Sequence, residues 1–233
     1  MAADHYLQRR GEIATYFDLT AAEAWARLTS DAPVGHVRAT VRAGRDRMRA
    51  TLLSWLPEDL RGRRLLDAGC GTGALAVEAA RRGAEVLAID LSPTLVDLAR
   101  ERQPVFTSGG HIDFRSGDML DPALGKFDHV VGMDSLIHYE PGDAVEVIAG
   151  LAQRTRHSLL FTFAPSSPAL VLFKAAGKLF PRGSRSPSIV PVAEHQLQRR
   201  LKANPRLVAW DLRRSQRIAS GFYTSQAMEL VRP

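Results

Sequence analysis

The sequence predicts a doubly wound α/β fold: a mostly parallel seven-stranded sheet preceded by an N-terminal helical arm. Three observations predict it. Apolar runs of strand length alternate with helix-like runs from residue 63 to residue 163, as successive β-α-β units do. The stretch Arg63-Arg64-Leu65-Leu66-Asp67-Ala68-Gly69-Cys70-Gly71-Thr72-Gly73 passes from an apolar strand, through a glycine-rich turn, into a helical run over 74–82. A second apolar strand, Val86-Leu87-Ala88-Ile89-Asp90, then ends in a carboxylate. The last two features describe a nucleotide-type pocket. Glycines let the backbone approach a ligand without a Cβ in the way, and a helix start directs free N–H groups at it. Asp90, 23 residues after Asp67, can accept hydrogen bonds from a ribose.

Taken in order, residues 6–30 read as a helix-rich arm carrying Tyr16, Phe17 and Trp25, and Asp31-Ala32-Pro33 breaks it. A second helix is predicted from about Val34 to Leu56, stopped by Pro57. Val37, Val41, Met48, Leu52 and Trp55 follow helical spacing, and so do Arg38, Arg42, Arg45 and Arg49. That arginine stripe fits a solvated helix face and equally a face turned toward carboxylates, which the guanidinium fork suits. Strands are expected near 63–68, 85–89, 112–115, 127–133 and 158–163, with helices near 74–82, 93–102 and 142–155. After Pro165 the alternation stops. An apolar segment, 168–180, carries Lys174 and Lys178 one turn apart, and a basic loop over 182–187 follows. The segment fits a membrane-surface helix, a pocket wall or a core helix. A short helix near 192–203 and two strand-like runs near 207–218 and 220–228 close the chain as a predicted edge hairpin. The expected division is an arm and lid over 1–58 and a catalytic domain over 59–233, with a basic insertion at about 165–204.

Composition narrows the classes. With 233 residues and 45% apolar side chains the chain can bury one large core. No run of about 18 uncharged apolar residues is present, so no membrane span is expected. The N-terminal residues lack a signal pattern, which implies a cytoplasmic protein. A single cysteine, Cys70, excludes internal disulfides and cysteine metal clusters. The net charge of +6 is uneven: residues 1–60 balance to zero, 61–150 carry −5 and 151–233 carry +11. Such asymmetry suits an anionic partner, although a basic soluble face explains it as well. The basic third has few aromatics at base-stacking spacing and no recognised RNA module, which disfavours nucleic acid.

The identity of the nucleotide follows from the carboxylates. Gly69, Gly71 and Ala74 satisfy a loose dinucleotide pattern. Asp67, however, stands two residues before the first glycine, where it would repel a pyrophosphate and suit an ammonium. Ser116-Gly117-Asp118-Met119 ends the third strand with a carboxylate and an apolar side chain fit to grip an adenine. The fourth strand ends in Gly132-Met133-Asp134 at the sheet's carboxyl edge, where ligands of open α/β sheets bind. A ligand with ribose, adenine, ammonium and no phosphate is S-adenosylmethionine.

These motifs as an ordered set (Asp67 to Gly73, Asp90, Gly117-Asp118 and Phe127-Asp128) resemble class I S-adenosylmethionine-dependent methyltransferases, with a Rossmann-like fold, over roughly residues 60–165. The implied cofactor set is Asp67, Gly69, Gly71, Gly73, Asp90, Leu91, Asp118, Met119 and Met133. The flanks are more specific. Tyr16 to Thr20, Trp25 to Leu28, Val37 to Arg45, Met133 to Tyr139, Lys178 to Pro181 and Ser220 to Tyr223 resemble the magnesium-protoporphyrin IX methyltransferase family of chlorophyll and bacteriochlorophyll synthesis. That resemblance implies esterification of one propionate of the magnesium porphyrin. It also implies that arm and second helix act as a flexible lid.

A flat dicarboxylate macrocycle needs apolar walls and cations. The aromatic arm, the arginine stripe (Arg38 and Arg42 being the substrate-binding candidates) and the basic insertion supply them. A propionate with a pKa of about 4–5 is already ionised at neutral pH, so the catalytic work is alignment and desolvation. His138 and Tyr16 are the candidates for it, and the resemblance points to the same two side chains. His138 would orient the carboxylate and serve secondarily as a base; a loop histidine and a packing tyrosine are the plain alternatives. No protein-bound metal is expected, the magnesium arriving in the porphyrin. The porphyrin-binding subunit of magnesium chelatase and the photosynthetic membrane surface are the partners considered. A quinone or small carboxylic acid is the rival acceptor, and an RNA methyltransferase and a nicotinamide oxidoreductase are the more distant rivals.

Overall fold

The computed structural model describes residues 2–19, 22–29, 33–106, 109–166 and 189–233. Helices α1 (Ala2–Leu19) and α2 (Ala22–Leu28) form the arm, and α3 (His36–Ser54) leads into the sheet. There follow β1 (Arg64–Ala68), α4 (Ala74–Arg81), β2 (Glu85–Asp90), α5 (Pro93–Glu101), β3 (His111–Ser116), β4 (Phe127–Gly132), α6 (Pro141–Ala152) and β5 (Thr155–Phe163). The chain ends with α7 (Glu194–Ala203) and the hairpin β6 (Asp211–Ser220) and β7 (Tyr223–Val231). The sheet order is β3-β2-β1-β4-β5-β7-β6. The first five strands are parallel, and β7 inserts antiparallel between β5 and the edge strand β6. This is the predicted seven-stranded doubly wound sheet.

The strands are continuous apolar runs because both faces are covered. Alternate residues serve opposite sides of the sheet. Leu66, Ala68, Leu87, Ile89 and Val130 join one buried cluster with α6. Leu65, Val86, Ala88, Ile112 and Val131 join the other with α4 and with Met48, Leu52 and Leu53 of α3. α3, grouped with the lid in the sequence reading, thus has one face built into the core. Its approach to β7 depends on Gly44, where a Cβ would meet the Tyr223 ring at 2.5 Å. At the hairpin, Glu229 is buried and accepts two bonds from Arg214, at 2.5 and 2.7 Å. The same guanidinium lies over Trp55 and donates to its carbonyl, fastening the sheet edge to the end of α3. Exposed Arg213 and Arg217 on β6 blunt the free edge.

Several boundaries differ from expectation. β5 begins at Thr155 rather than near 158, and α6 stops at Ala152 rather than 155. The Arg154 N–H closes a turn onto Leu151 O, while the Arg154 guanidinium binds the carbonyls of Leu120 and Asp121, so the helical run is cut short. The hairpin turn falls at Gly221-Phe222, and a 3-10 turn over Pro205–Leu207 delays β6 to Asp211. The expected apolar segment 168–180 and basic loop 182–187 lie outside the described residues.

Between β4 and β5, buried His129 shares a 2.8 Å hydrogen bond through Nδ1 with Ser158 Oγ. Burial, and then the neighbouring His157, push the His129 pKa down to about 4, against an ordinary 6.5. The unfolded chain therefore takes up this proton before the folded chain does. The contribution to stability is complete above about pH 6.5 and is lost as pH falls toward 4. His129→Gln should remove this part of the acid sensitivity. The difference in unfolding free energy between wild type and variant should narrow by roughly 3 kcal/mol from pH 7 to pH 4, as measured by urea denaturation.

Candidate active site

The glycine turn after β1 is fixed by backbone and carboxylate together. The N–H groups of Gly69 and Cys70 both donate to Ile89 O, and the Gly71 N–H donates to Asp90 Oδ2 at 2.8 Å. Gly69 has a φ of 86°, and a Cβ there would meet Ser135 Cβ at 2.4 Å. Gly71 has a φ of 53° with open space before its missing Cβ. A side chain is thus excluded sterically at one position, while the other leaves a ligand free access to the turn.

The turn borders a cavity of about 270 Å³ at the carboxyl edge of the parallel strands. Asp67, Gly69, Gly71, Asp90, Leu91, Met119 and Met133 of the predicted cofactor set all line it. Gly73 does not. It starts α4 with a φ of 78° and packs toward Phe114. Asp67 is fully buried, and its Oδ2 has no hydrogen-bond partner among the described residues. Burial, and then the charge of Asp90, push its pKa up to about 7, with the Ala76 N–H pulling the other way. An uncompensated carboxylate in this position calls for a cation, and the ammonium of a methionyl group fits. Asp90 also lines the cavity, its Oδ1 accepting from Ser92 N at 3.0 Å. Burial raises its pKa too. Burial and the two aspartates push the Cys70 thiol up, away from a nucleophilic thiolate.

Asp118 is placed otherwise than expected. It lies outside the cavity lining, under the arm: Oδ1 accepts from Tyr6 OH and Leu120 N, each at 2.9 Å, and Oδ2 from Arg10 at 2.6 Å. Its neighbours Gly117 and Met119 do face the cavity. The Tyr6 ring stacks on Tyr139 at 5.5 Å, and Arg9 Nε donates to His138 O at 2.8 Å. Asp18 accepts from Ser92 Oγ and Thr94 N at 3.1 Å, which seats the far end of α1 on the start of α5.

The two catalytic candidates separate. His138, in a short 3-10 turn after β4, is buried and faces the cavity. Tyr16 is half-buried and outside the lining, with its ring edge-on to Phe17 at 5.3 Å. Phe17 lines the cavity instead, 5.8 Å from the His138 ring and stacked at 5.9 Å on Trp25, which lines it too. One step along a helix is a rotation of about 100°, enough to exchange these two rings.

The arginine stripe divides as well. Arg38 is exposed on the first turn of α3, away from the cavity. Arg42 lines the cavity but reaches the last carbonyls of α2, Nε to Leu28 O and Nη2 to Arg27 O, each at 2.9 Å. Arg45 pairs with Asp134 at 2.6 Å and lies 4.5 Å over the Trp25 ring. Asp134 is absent from the sequence-predicted site residues, yet three hydroxyls also converge on it, from Tyr223, Ser225 and Thr162, at 3.0–3.1 Å. The signal that could have found it is its position immediately beyond β4. Its partners come from β5 and β7, too distant in sequence to be read. Among the described residues no group of three or more His, Cys, Asp and Glu side chains is placed to hold a metal ion.

A class I S-adenosylmethionine-dependent methyltransferase is what this sheet order, glycine turn and carboxylate-lined cavity define. A general methyltransferase domain model matches residues 65–158, and the model described as magnesium-protoporphyrin IX methyltransferase C-terminus matches residues 132–232. The magnesium-protoporphyrin O-methyltransferase of Rhodobacter capsulatus is 50% identical over 225 residues, covering 96% of this chain and 97% of that one. Its Synechocystis counterpart is 31% identical over 93% of this chain and 94% of its own length. The crystal structure of magnesium protoporphyrin IX methyltransferase from Synechocystis with bound S-adenosylhomocysteine superimposes with a TM-score of 0.83 at 30% identity, covering 96% and 99% of the two chains. The chain belongs to the magnesium-protoporphyrin O-methyltransferase family.

The Asp67 carboxylate gives a direct test of the cofactor fit. If an ammonium of the ligand meets the ionised carboxylate, affinity for S-adenosylhomocysteine should weaken as pH falls through about 7. Asp67→Asn should bind roughly tenfold or more weakly at pH 8 and lose most of that pH dependence. Calorimetric titration between pH 6 and pH 8 measures both effects.

Proposed function

We infer that the chain transfers a methyl group from S-adenosylmethionine to one propionate carboxylate of magnesium protoporphyrin IX, giving the monomethyl ester and S-adenosylhomocysteine. The observation that carries this reading is 50% identity to a magnesium-protoporphyrin O-methyltransferase over 96% of the chain, the arm included. The core motifs alone would leave the acceptor open, because one fold serves many acceptors. The arm and α3 provide Phe17, Trp25, Arg42 and Arg45 to the cavity, and they lie within the matched length.

Within this reading Asp67 holds the ammonium of the methionyl group and the Gly69–Gly71 backbone lies along it. Asp90 takes the ribose, and Met119 with Leu91 flanks the adenine. S-adenosylmethionine supplies an electrophilic methyl on a sulfonium. The acceptor carboxylate needs no proton removed at neutral pH. What the protein adds is a dry, oriented approach: Phe17 and Trp25 exclude water, and His138 orients the carboxylate oxygen from the wall facing the glycine turn. Tyr16 acts at one remove, by supporting Phe17. The arm and lid over 1–58 close on the catalytic domain over 59–233 through Asp118 and the His138 carbonyl. Of the arm and lid, α1 and α2 are the moving parts. The basic C-terminal third supports docking to an anionic surface, either a chelatase subunit delivering the porphyrin or the photosynthetic membrane. Among the described residues no helix is long and apolar enough to cross a membrane.

Incubation with magnesium protoporphyrin and S-adenosylmethionine should yield a porphyrin heavier by one CH2 in mass spectrometry. Absence of that product under conditions where S-adenosylhomocysteine binds would refute the acceptor assignment. His138→Ala should lower kcat by roughly ten- to a hundredfold with S-adenosylhomocysteine affinity unchanged, and Tyr16→Phe should retain most of the turnover.

A further inference from the structure

Most of the ionisable groups on the cavity wall are accounted for by the reading above, and one is not. Asp67 and Asp90 face the methyl donor, while Arg42 is committed to the end of α2. Arg49, also in the lining, is paired with Asp46 one turn away at 2.9 Å. Arg45 remains.

We propose that Arg45 is the side chain that receives a ligand carboxylate in this cavity, held ready for it by Asp134 and Trp25. The inference rests on the methyltransferase reading for the identity of its ligands. Two carboxylates could be the one received: a propionate of the macrocycle, or the α-carboxylate of the methyl donor. Both are planar anions that a guanidinium fork matches with two parallel hydrogen bonds.

The geometry favours this role. A guanidinium has five N–H donors, and Arg45 gives Nη1 to Asp134 Oδ2 at 2.6 Å. No other hydrogen bond from it is formed among the described residues. The Trp25 ring, 4.5 Å from its Cζ, fixes the plane of the fork. The Arg45 side chain is only 21% exposed, so its interactions are weakly screened. Asp134 would repel an incoming anion if its charge were undispersed, but the hydroxyls of Tyr223, Ser225 and Thr162 share it. The same bonds prevent Asp134 from swinging away when a second carboxylate arrives. The surrounding wall is rich in acid, with Asp46, Asp67, Asp90 and Asp134. A dianionic ligand entering there needs a fixed cation, and Arg45 is the one turned to both the β4 end and the arm.

The test compares wild type, Arg45→Gln, Arg45→Lys and Asp134→Asn as full-length chains, with thermal unfolding to confirm that each is folded. Binding of S-adenosylhomocysteine is measured by calorimetry. Binding of magnesium protoporphyrin and of its dimethyl ester is measured by quenching of tryptophan emission. If the propionate is received, Arg45→Gln weakens magnesium protoporphyrin roughly tenfold or more and leaves the dimethyl ester and S-adenosylhomocysteine unchanged. If the methyl donor's carboxylate is received, S-adenosylhomocysteine weakens by that factor and 5′-methylthioadenosine, which lacks the carboxylate, does not. Arg45→Lys, keeping charge without the fork, should fall between wild type and Arg45→Gln. Asp134→Asn should weaken the same ligand less. Unchanged binding of both carboxylate ligands in folded Arg45→Gln overturns the proposal. Because these are binding measurements, a wild-type chain that formed no methyl ester would sink the reaction assigned above and leave the role of Arg45 to be judged on affinity.

Discussion

The site is organised around the carboxylate of Asp134. Four elements meet on it: α3 through Arg45, β5 through Thr162, and β7 through Tyr223 and Ser225, with Asp134 itself at the end of β4. Its backbone has a φ of 55°, the one left-handed residue other than glycine among the described residues. Such a conformation costs roughly 1–3 kcal/mol, less for aspartate than for most side chains. Hydrogen bonds to a charged group contribute about 1.5–3 kcal/mol each, so the converging donors outweigh the strain. The unusual backbone turns the chain sharply after β4. That turn sets Ser135 against the Cα of Gly69 and places His138 on the cavity wall. Gly44 belongs to the same arrangement, since a side chain there would drive α3 off Tyr223 and carry Arg45 with it.

The opposite wall rests on two buried carboxylates whose environments differ. Asp90 is bonded to two backbone N–H groups, which fix the glycine turn and partly stabilise its charge. Asp67 keeps one oxygen without a partner among the described residues, and burial and the charge of Asp90 favour its protonated form. Two neighbouring buried anions destabilise each other, and a bound cation relieves both. The binding energy of such a ligand therefore includes the relief of a cost already present in the folded chain.

How much of this was legible depended on how locally each feature is encoded. The glycine turn, Asp67, Asp90 and the strand–helix alternation are written within single β-α-β units, where period and turn chemistry suffice. The four-arginine stripe was visible as spacing, but its members have different fates. Arg42 met the end of α2, Arg45 met Asp134, and Arg38 met solvent, outcomes set by what packs opposite. Phe17 and Tyr16 are adjacent aromatics on one helix, and only the docking angle of α1 decides which ring enters the cavity. Asp118 follows β3 in the loop beyond Ser116, and partners from more than 100 residues earlier, Tyr6 and Arg10, cover it. Sequence separation of that size leaves no local trace.

Those arm contacts have a consequence for how the cavity is closed. α1 is held down by polar bonds at both ends, to Asp118 and the His138 carbonyl near its start and to Ser92 and Thr94 near its finish. Between them Ile13 and Phe17 supply the apolar contact. Charge-assisted bonds of this kind exchange readily for water, whereas an apolar face of two side chains holds an isolated helix weakly. The arm is thus fastened to the loops beyond β3 and β4 and to the start of α5, with Ile13 packed into the core beneath it. Its two latch points, Asp118 and the His138 backbone, belong to the loops that follow β3 and β4, the same loops that carry Met119 and the His138 ring into the cavity. The loops that receive the arm are therefore the same loops that shape the cavity wall.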